Sequence, residues 1–277
     1  MASSIASIKT RIKSINSTKK ITGAMKSVST VKLNRMSKQT LKNKTYKDVL
    51  DEAASNVLNS PFDFDSKFSK TNHATNKLYI VFVSDVGLCG SFNASIINKL
   101  KNSVTKNDSL FVIGTSIYES IVKEGFRVLN DPISSDNATY YNIVNLFNQA
   151  SNKFLNEELA EVKVIYNKYI NSISYKTDVY QVLPFVRNAE EKSKEVILEP
   201  NPNEIFDSIL LLFLKSEIYN LFLESKTSEQ VARRFAMENA TKNAEDLIDD
   251  LTLEYNKARQ GSITQEITEI VAGANAI

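Results

Sequence analysis

Residues 203–277 run NEIFDSILLLFLKSEIYNLFLESKTSEQVARRFAMENATKNAEDLIDDLTLEYNKARQGSITQEITEIVAGANAI, with no proline and no glycine before Gly261. The two residues that end helices most effectively are therefore missing over most of the stretch. A helix through most of it is roughly 100 Å long at ~1.5 Å per residue. A compact domain cannot bury such a rod, so it must pack against another rod, span a cavity, or both. Met237, Ala240, Ala244, Leu247 and Leu251 step 3-4-3-4, the spacing of a coiled-coil seam. Alanine at seam positions lets two helices approach closely.

The second rod lies at the other end of the chain. From Ser3 to about Val57 there is no proline, and the one glycine is Gly23. Ile5, Ile8, Ile12 and Ile15 repeat with 3-4-3 spacing; the phase then slips, and Ile21, Met25 and Val28 resume with 4-3 spacing. Thr22, Gly23 and Ala24 form a small-residue patch at the slip. This helix is roughly 80 Å long and should end before Pro61.

Between the rods the pattern changes period. Leu78–Val83 is a short β-rich apolar run, followed by the turn SDVGLCGSFN and a helical ASIINKLKNSV. Leu110–Ile113 repeats the theme, ends at Gly114 and leads into helical SIYESIVKEG. A helix near Thr139–Leu159 precedes VKVIYNKYI and the alternating SISYKTDVYQVLPF. Strands alternating with helices predict a doubly wound parallel sheet with a β-rich end. The expected fold is thus mixed α+β/α/β: a long antiparallel coiled coil of the N- and C-terminal helices plus a central doubly wound, Rossmann-like α/β domain. Its boundaries are 1–60 for the first helix, 61–202 for the domain and 203–277 for the last helix.

Composition narrows the function classes. A chain of 277 residues that is 42% apolar can bury a sizeable core. Lysine and arginine total 34 against 32 acidic residues, so net charge says little, but its distribution is uneven. No acidic residue precedes Asp48, while Lys19, Lys20, Lys26, Lys32 and Lys47 are among the cations before it. The carboxylates gather late, with Glu245, Asp246, Asp249, Asp250 and Glu254 in the last helix. The early lysines are expected to face carboxylates of that helix or of an acidic partner. One cysteine, Cys89, excludes an internal disulfide and a cysteine metal cluster. No apolar run reaches the ~18 residues of a membrane span, and the basic, serine-rich start lacks the apolar core of a secretory signal.

The sequence holds no catalytic constellation. Gly87 and Gly90 follow a strand and precede a helix, where a phosphate could rest on free amides, but they form GxxG rather than GxGxxG. A tight structural turn accounts for them, with Cys89 as a small buried residue within it. His73, the single histidine, lies in a polar loop without a neighbouring acid or nucleophile. Asp249-Asp250 reads as a solvated helix face. Neither cofactor nor metal is expected. The lysine-rich first helix leaves open nucleic-acid or scaffold binding, although no aromatic residue precedes Tyr46 to stack on bases.

Three segments carry a resemblance. IKTRIKSINSTKKITGAMKSVSTVKLNR near the start, VSDVGLCGSFN in the middle and SEQVARRFAMENATKNAEDLIDDLTLEYNKARQGSITQEITEIVAGANA at the end resemble, in order and spacing, the gamma subunit of the rotary F-type ATP synthase. The resemblance implies a non-catalytic rotor whose paired terminal helices penetrate a ring of alpha and beta subunits. The α/β domain would sit beside the epsilon subunit and the c ring, with no nucleic acid bound and the membrane reached only through the complex. By motif, Met25 and Lys26 match positions beside a beta-subunit lever. Arg259, Gln260 and Gln265 match beta-subunit contacts on the upper shaft, and Glu199 matches the foot near the c ring. Val86, Ser91 and Gly261 depart from the residues usual in the family, which admits the same rotor in a specialised ATPase that hydrolyses ATP to drive another machine. The lack of an inserted cysteine pair and of a leader-like start points to a bacterial protein at the cytoplasmic face of the cell membrane.

Overall fold

The computed structural model describes residues 2–58, 64–186, 198 and 201–274, with backbone alone at 2–4, 41–44 and 273. In chain order the elements are α1 (Ala2–Leu58), β1 (Lys77–Phe82), α2 (Phe92–Ser103), β2 (Ser109–Ile113), α3 (Tyr118–Lys123), β3 (Arg127–Val128), α4 (Tyr140–Leu155), β4 (Glu161–Tyr169), β5 (Tyr175–Leu183) and α5 (Pro202–Ala274). Two compact units result: Met1–Thr30 with Arg233–Ile277, and Val31–Ala232.

The second unit is built on a five-stranded sheet ordered β3-β2-β1-β4-β5. β3, β2, β1 and β4 are parallel, and β5 returns antiparallel to β4. Both faces are covered, which is why β1 is an unbroken apolar run rather than an alternating one. Leu78, Ile80 and Phe82 point to one face, where they join Ile143 and Phe147 of α4, Leu210, Leu214 and Phe222 of α5, and Ala54 and Val57 of α1. Tyr79, Val81 and Val83 point to the other, against Ile96 and Leu100 of α2 and Ile121 of α3. Each such fully buried large apolar side chain contributes about 1.5–3 kcal/mol. α4 starts at a capping box in which the Thr139 side chain accepts from the Asn142 amide while the Asn142 side chain accepts from the Thr139 amide. The fold is the mixed one expected, with one addition. β3 is only two residues long, too short to leave a periodic signal in the sequence.

In the first unit the two helices run antiparallel. Lys19 Nζ meets Glu245 at 2.9 Å and Lys26 Nζ meets Glu238 at 2.8 Å, a step of seven residues on each helix in opposite directions. Between them the hydroxyl of Thr241 donates to that of Thr22 at 2.8 Å. Of the early lysines, Lys19 and Lys26 thus do face carboxylates of the last helix, while Lys32 faces Asp136.

The seam itself differs from expectation. Ile8 is buried and Ile12 and Ile15 half-buried as expected, but Ile21 and Val28 are 60% and 57% exposed. Thr22 and Ser29 are buried instead, so the heptad frame of Ile8 and Ile15 continues without a slip. These hydroxyls are satisfied within the helix, Thr22 donating to Lys19 O at 3.1 Å and Ser29 to Met25 O at 2.9 Å. That removes the cost of burying them, and their size does the rest. On α5, Met237, Ala244 and Leu251 are buried as expected, while Leu247 is 51% exposed and Ile248 takes its place half-buried. Leu247 and Ile248 are adjacent, so either fits a 3-4 repeat. Only the partner helix selects between them.

Candidate functional site

The outer surface of the helix pair carries most of the residues singled out in the sequence. Met25 is half-buried, and Lys26 reaches Glu238 while its side chain stays 41% exposed. The pair holds the Glu238 carboxyl below its ordinary range through the hydrogen bond and charge of Lys26. Arg259, Gln260 and Gln265 are all exposed. Gln265 donates from Nε2 to Glu269 Oε1 at 2.8 Å, and the Gln260 carbonyl accepts from Thr264 Oγ1 at 2.9 Å. Lys26 lies opposite Glu238, and Arg259 follows Glu238 by 21 positions on α5, roughly 30 Å at ~1.5 Å per residue. The structure therefore divides these residues into two separate patches on the pair. Glu199 falls outside the described residues.

Large apolar side chains also face outward on these helices. Besides Ile21 and Val28 they include Phe235, Leu253, Ile263, Ile267 and Ile270. Ile263, Ile267 and Ile270 repeat at 4-3 spacing and form one stripe, in a segment whose described side chains from 263 to 272 are all exposed. An exposed apolar stripe of this kind marks a surface built to meet another protein.

The turn after β1 sits at the point of the sheet where the parallel strands diverge in order, between β1 and β4. In doubly wound folds ligands bind in the crevice there, beyond the carboxyl ends of the strands. Here the crevice is occupied by the chain. Cys89, 2% exposed, packs with Phe92, Ala232 and Tyr175. The Phe92 and Tyr175 rings lie 5.9 Å apart, and the Ser91 and Tyr175 hydroxyls are hydrogen-bonded at 2.9 Å. Asn167 of β4 donates to the Phe92 carbonyl at 3.1 Å. Asn93 then ties the turn together, accepting from Ser84 N at 3.2 Å and donating to Ser116 Oγ at 3.0 Å. Gly90 takes a left-handed φ of 59°, the conformation glycine tolerates without cost, and Leu88 takes one of 61°. Gly87 needs no such freedom: its φ is not positive and a Cβ there would meet nothing within 4 Å. Within the turn, Gly90 supplies the left-handed backbone and Cys89 the buried packing.

One ionic cluster was not legible in the sequence. Lys226 of α5, buried, places Nζ 2.5 Å from Asp136 Oδ1, 2.9 Å from Glu229 Oε2 and 3.1 Å from Ser135 Oγ. Asp136 also accepts from Lys32 of α1 at 3.1 Å. Burial works against the Lys226 charge, but Glu229 and Asp136 outweigh it and its pKa is raised. Burial likewise opposes the Asp136 charge, and Lys226 and then Lys32 overcome it, holding the carboxyl at about 2. Asp85, just after β1, accepts from Asp136 N at 2.7 Å, Ser135 N at 2.9 Å and Ser134 Oγ at 2.8 Å. Burial opposes its charge too, but those bonds, with the charge of Lys226, win and lower its pKa. The sequence signal was the run ESKTSEQ (224–230) inside an apolar helix, which periodicity assigns to a solvated face.

Elsewhere His73 is exposed in its loop, as are Asp249 and Asp250 on α5. Among the described residues, no group of three or more His, Cys, Asp or Glu side chains could hold a metal ion. Among the same residues, no helix is long and apolar enough to cross a membrane.

Comparison with known proteins extends this geometry. The sequence model of the ATP synthase family matches residues 4–277. The ATP synthase gamma chain of Mycoplasma mobile is 36% identical over 276 residues, covering 96% of each chain. That of Clostridium kluyveri is 38% identical over 280 residues, covering 99% of this chain and 98% of the relative. Among solved structures, a chain of the Euglena gracilis mitochondrial ATP synthase, OSCP/F1/c-ring, superposes with a TM-score of 0.71 at 18% identity, over 100% of this chain and 95% of its own. A chain of the Tetrahymena thermophila mitochondrial ATP synthase central stalk and c ring gives 0.58 at 23% identity, over 79% and 99%. These last two share the fold; the bacterial relatives share the sequence along nearly its whole length, and the chain belongs to the ATP synthase gamma-chain family.

Proposed function

We propose that this chain is the central rotor-stalk subunit of an F-type ATP synthase. It couples ion flow through a membrane c ring to ATP synthesis or hydrolysis at catalytic beta subunits, and is itself non-catalytic. The paired helices turn inside a ring of alpha and beta subunits, while the sheet domain meets the epsilon subunit and the c ring. The chain reaches the cytoplasmic face of a bacterial membrane only through that complex. The observation that carries this reading is the alignment with gamma chains over 96–99% of this chain, helices and sheet domain together.

The mechanism follows from a rigid asymmetric element inside a ring of equivalent bistable sites. Each orientation favours a different conformation at each site, and turning the element moves those preferences around the ring. In this reading Met25 and Lys26 form one contact patch with the beta subunits, and Arg259, Gln260 and Gln265 form a second, higher one. Glu199 lies at the foot near the c ring. Lys26 meets its partner as half of an ion pair with Glu238, so a beta-subunit carboxylate would share or displace that pairing. A nucleic-acid role is disfavoured by the same chemistry. Lys19, Lys26, Lys32 and Lys47 are already paired with Glu245, Glu238, Asp136 and Glu217 of this chain, leaving fewer cations for phosphates.

Assembly with alpha and beta subunits tests the proposal. The isolated chain should hydrolyse no ATP, and a bead fixed to its sheet domain should rotate when the assembled ring hydrolyses ATP. Hydrolysis by the isolated chain, or turnover of the ring without rotation of the bead, would overturn it.

A further inference from the structure

Within the second unit the sheet domain rests on α1 and α5 mainly through apolar contacts: Phe82, Ile113 and Ile143 share one core with Ala54, Val57, Leu214 and Phe222. Such packing resists separation but has no direction of its own. A sideways load, as in rotation of the domain about the helices, is best resisted by contacts with fixed geometry. These are concentrated at one place. Ser225, Lys226, Thr227, Ser228, Glu229 and Gln230 are all buried, a polar interval in a helix that is otherwise apolar toward the sheet.

From there, bonds of defined direction run to α1, to the loop at 134–136 and, through that loop, to the segments that follow β1 and β2. The Asp136 carboxylate is held by two lysines from two different helices, Lys226 of α5 at 2.5 Å and Lys32 of α1 at 3.1 Å. The loop that presents Asp136 is held in turn by Asp85 at the carboxyl end of β1, through its contacts with residues 134–136. Asp85 also accepts from Thr115 N, just after β2, at 3.1 Å. Charge-assisted bonds are the strongest and most geometry-sensitive of the polar contacts. Glu229, 2.9 Å from Lys226, supplies a second carboxylate to the cluster.

We propose that the Asp136–Lys226–Lys32 cluster is the torsional junction of the chain, positioning the sheet domain against both long helices so that torque passes between them without slip. Asp136 and Lys226 act as positioning residues and touch no nucleotide. The inference rests on the rotor reading above, and it assigns a role to a polar cluster whose alternative is simple stabilisation of the fold.

The test uses the full chain assembled with its alpha and beta subunits and compares Asp136→Asn, Lys226→Met and Lys32→Met with wild type. A rotation probe is attached through Lys106→Cys on the sheet domain or, in a second set, through Lys38→Cys on α1; both positions are exposed, while Cys89 is buried. With the ring stalled, Asp136→Asn and Lys226→Met should at least double the angular variance of the probe on the sheet domain and leave that of the probe on α1 unchanged. ATP hydrolysis should stay within about twofold of wild type. Lys32→Met, at a half-exposed lysine, should widen the distribution less and guards against a failure of the buried variants to fold. Phe147→Leu, in the apolar core, lowers stability without touching the cluster and should leave the variance at the wild-type value. Unchanged variance in all three cluster variants overturns the proposal, as does equal widening in Phe147→Leu. A wild-type chain that assembles but never rotates overturns the rotor reading, and this one with it.

Discussion

Replacing Gly114 with alanine should unfasten the edge between β1 and β2, and the cost can be worked from the structure. Gly114 sits directly after β2 with φ at 116°, a conformation available to glycine and closed to other residues. Forcing alanine into it costs about 1–3 kcal/mol. A Cβ there would also overlap the Val83 carbonyl oxygen and lie 2.6 Å from the carbonyl carbon and Cγ2 of Val83. Two of those atoms are backbone, so a rotamer change cannot relieve the clash. The shift would pull on Gly114 N to Ile133 O at 2.7 Å and Val83 N to Ile113 O at 2.8 Å, adding about 1–3 kcal/mol of the kind seen on overpacking. The sum is about 4 kcal/mol, which in native-state hydrogen exchange raises the opening of the β2 amides roughly a thousandfold. Gly87→Ala is the control, since that glycine is exposed, has no positive φ and offers a Cβ nothing within 4 Å. Its effect should stay within about 0.5 kcal/mol. Wild-type exchange in Gly114→Ala, or equal acceleration in both variants, would refute the argument from backbone geometry.

Gly261 lies in the interior of α5, exposed, and a Cβ added to it would meet nothing within 4 Å. Gly261→Ala should therefore stabilise the local helix by about 1 kcal/mol and slow exchange of the surrounding amides about fivefold. Unchanged protection would show that the glycine is not a weak point of the helix. Asp136 has a folded pKa of about 2 against an ordinary value of 3.8, so its contribution is present above about pH 4 and is lost as pH falls towards 2. Because the side chain is 42% exposed, screening reduces that contribution to about 1 kcal/mol. Urea midpoints measured from pH 5 to 2 should fall more steeply for wild type than for Asp136→Asn; parallel curves would refute the assignment.

Much of this molecule is legible in its sequence because the strongest signals are long. About fifty or more residues without proline force α1 and α5, and unbroken apolar runs such as Leu78–Val83 force strands covered on both faces. What escapes is whatever depends on the partner of an element. The seam of α5 could be drawn through Leu247 or through Ile248, and the antiparallel register set by Lys19–Glu245 and Lys26–Glu238 chooses Ile248. On α1, hydrophobicity points to Ile21 and Val28, but the seam selects by size and takes Thr22 and Ser29. The Lys226 cluster escapes for a related reason. A Lys–Glu pair at i, i+3 on a helix is normally a solvated face, and only the loop at Ser135–Asp136 arriving over it makes it a buried one.

The inverted seam also bears on function. A helix pair meant to stand in water gains by placing Ile21 and Val28 inward and Thr22 and Ser29 outward, because apolar burial stabilises by about 0.8 kcal/mol per methylene. This pair does the opposite. Small hydroxyl residues in the seam bring the helices close, and the apolar residues are left on the outside, as are Phe235, Leu253 and the stripe Ile263, Ile267 and Ile270. Scattered exposed apolar residues need no explanation, but here Ile21 and Val28 each stand next to a seam position, Thr22 or Ser29, that forgoes apolar burial. An outer surface of this kind suits enclosure by protein. That enclosure must also permit movement, and apolar contact suits it: it has no bonds of fixed direction to break and re-form at each step. The directional contacts are instead kept within the chain, at Asp136, Lys226 and Lys32, where the parts must not slip.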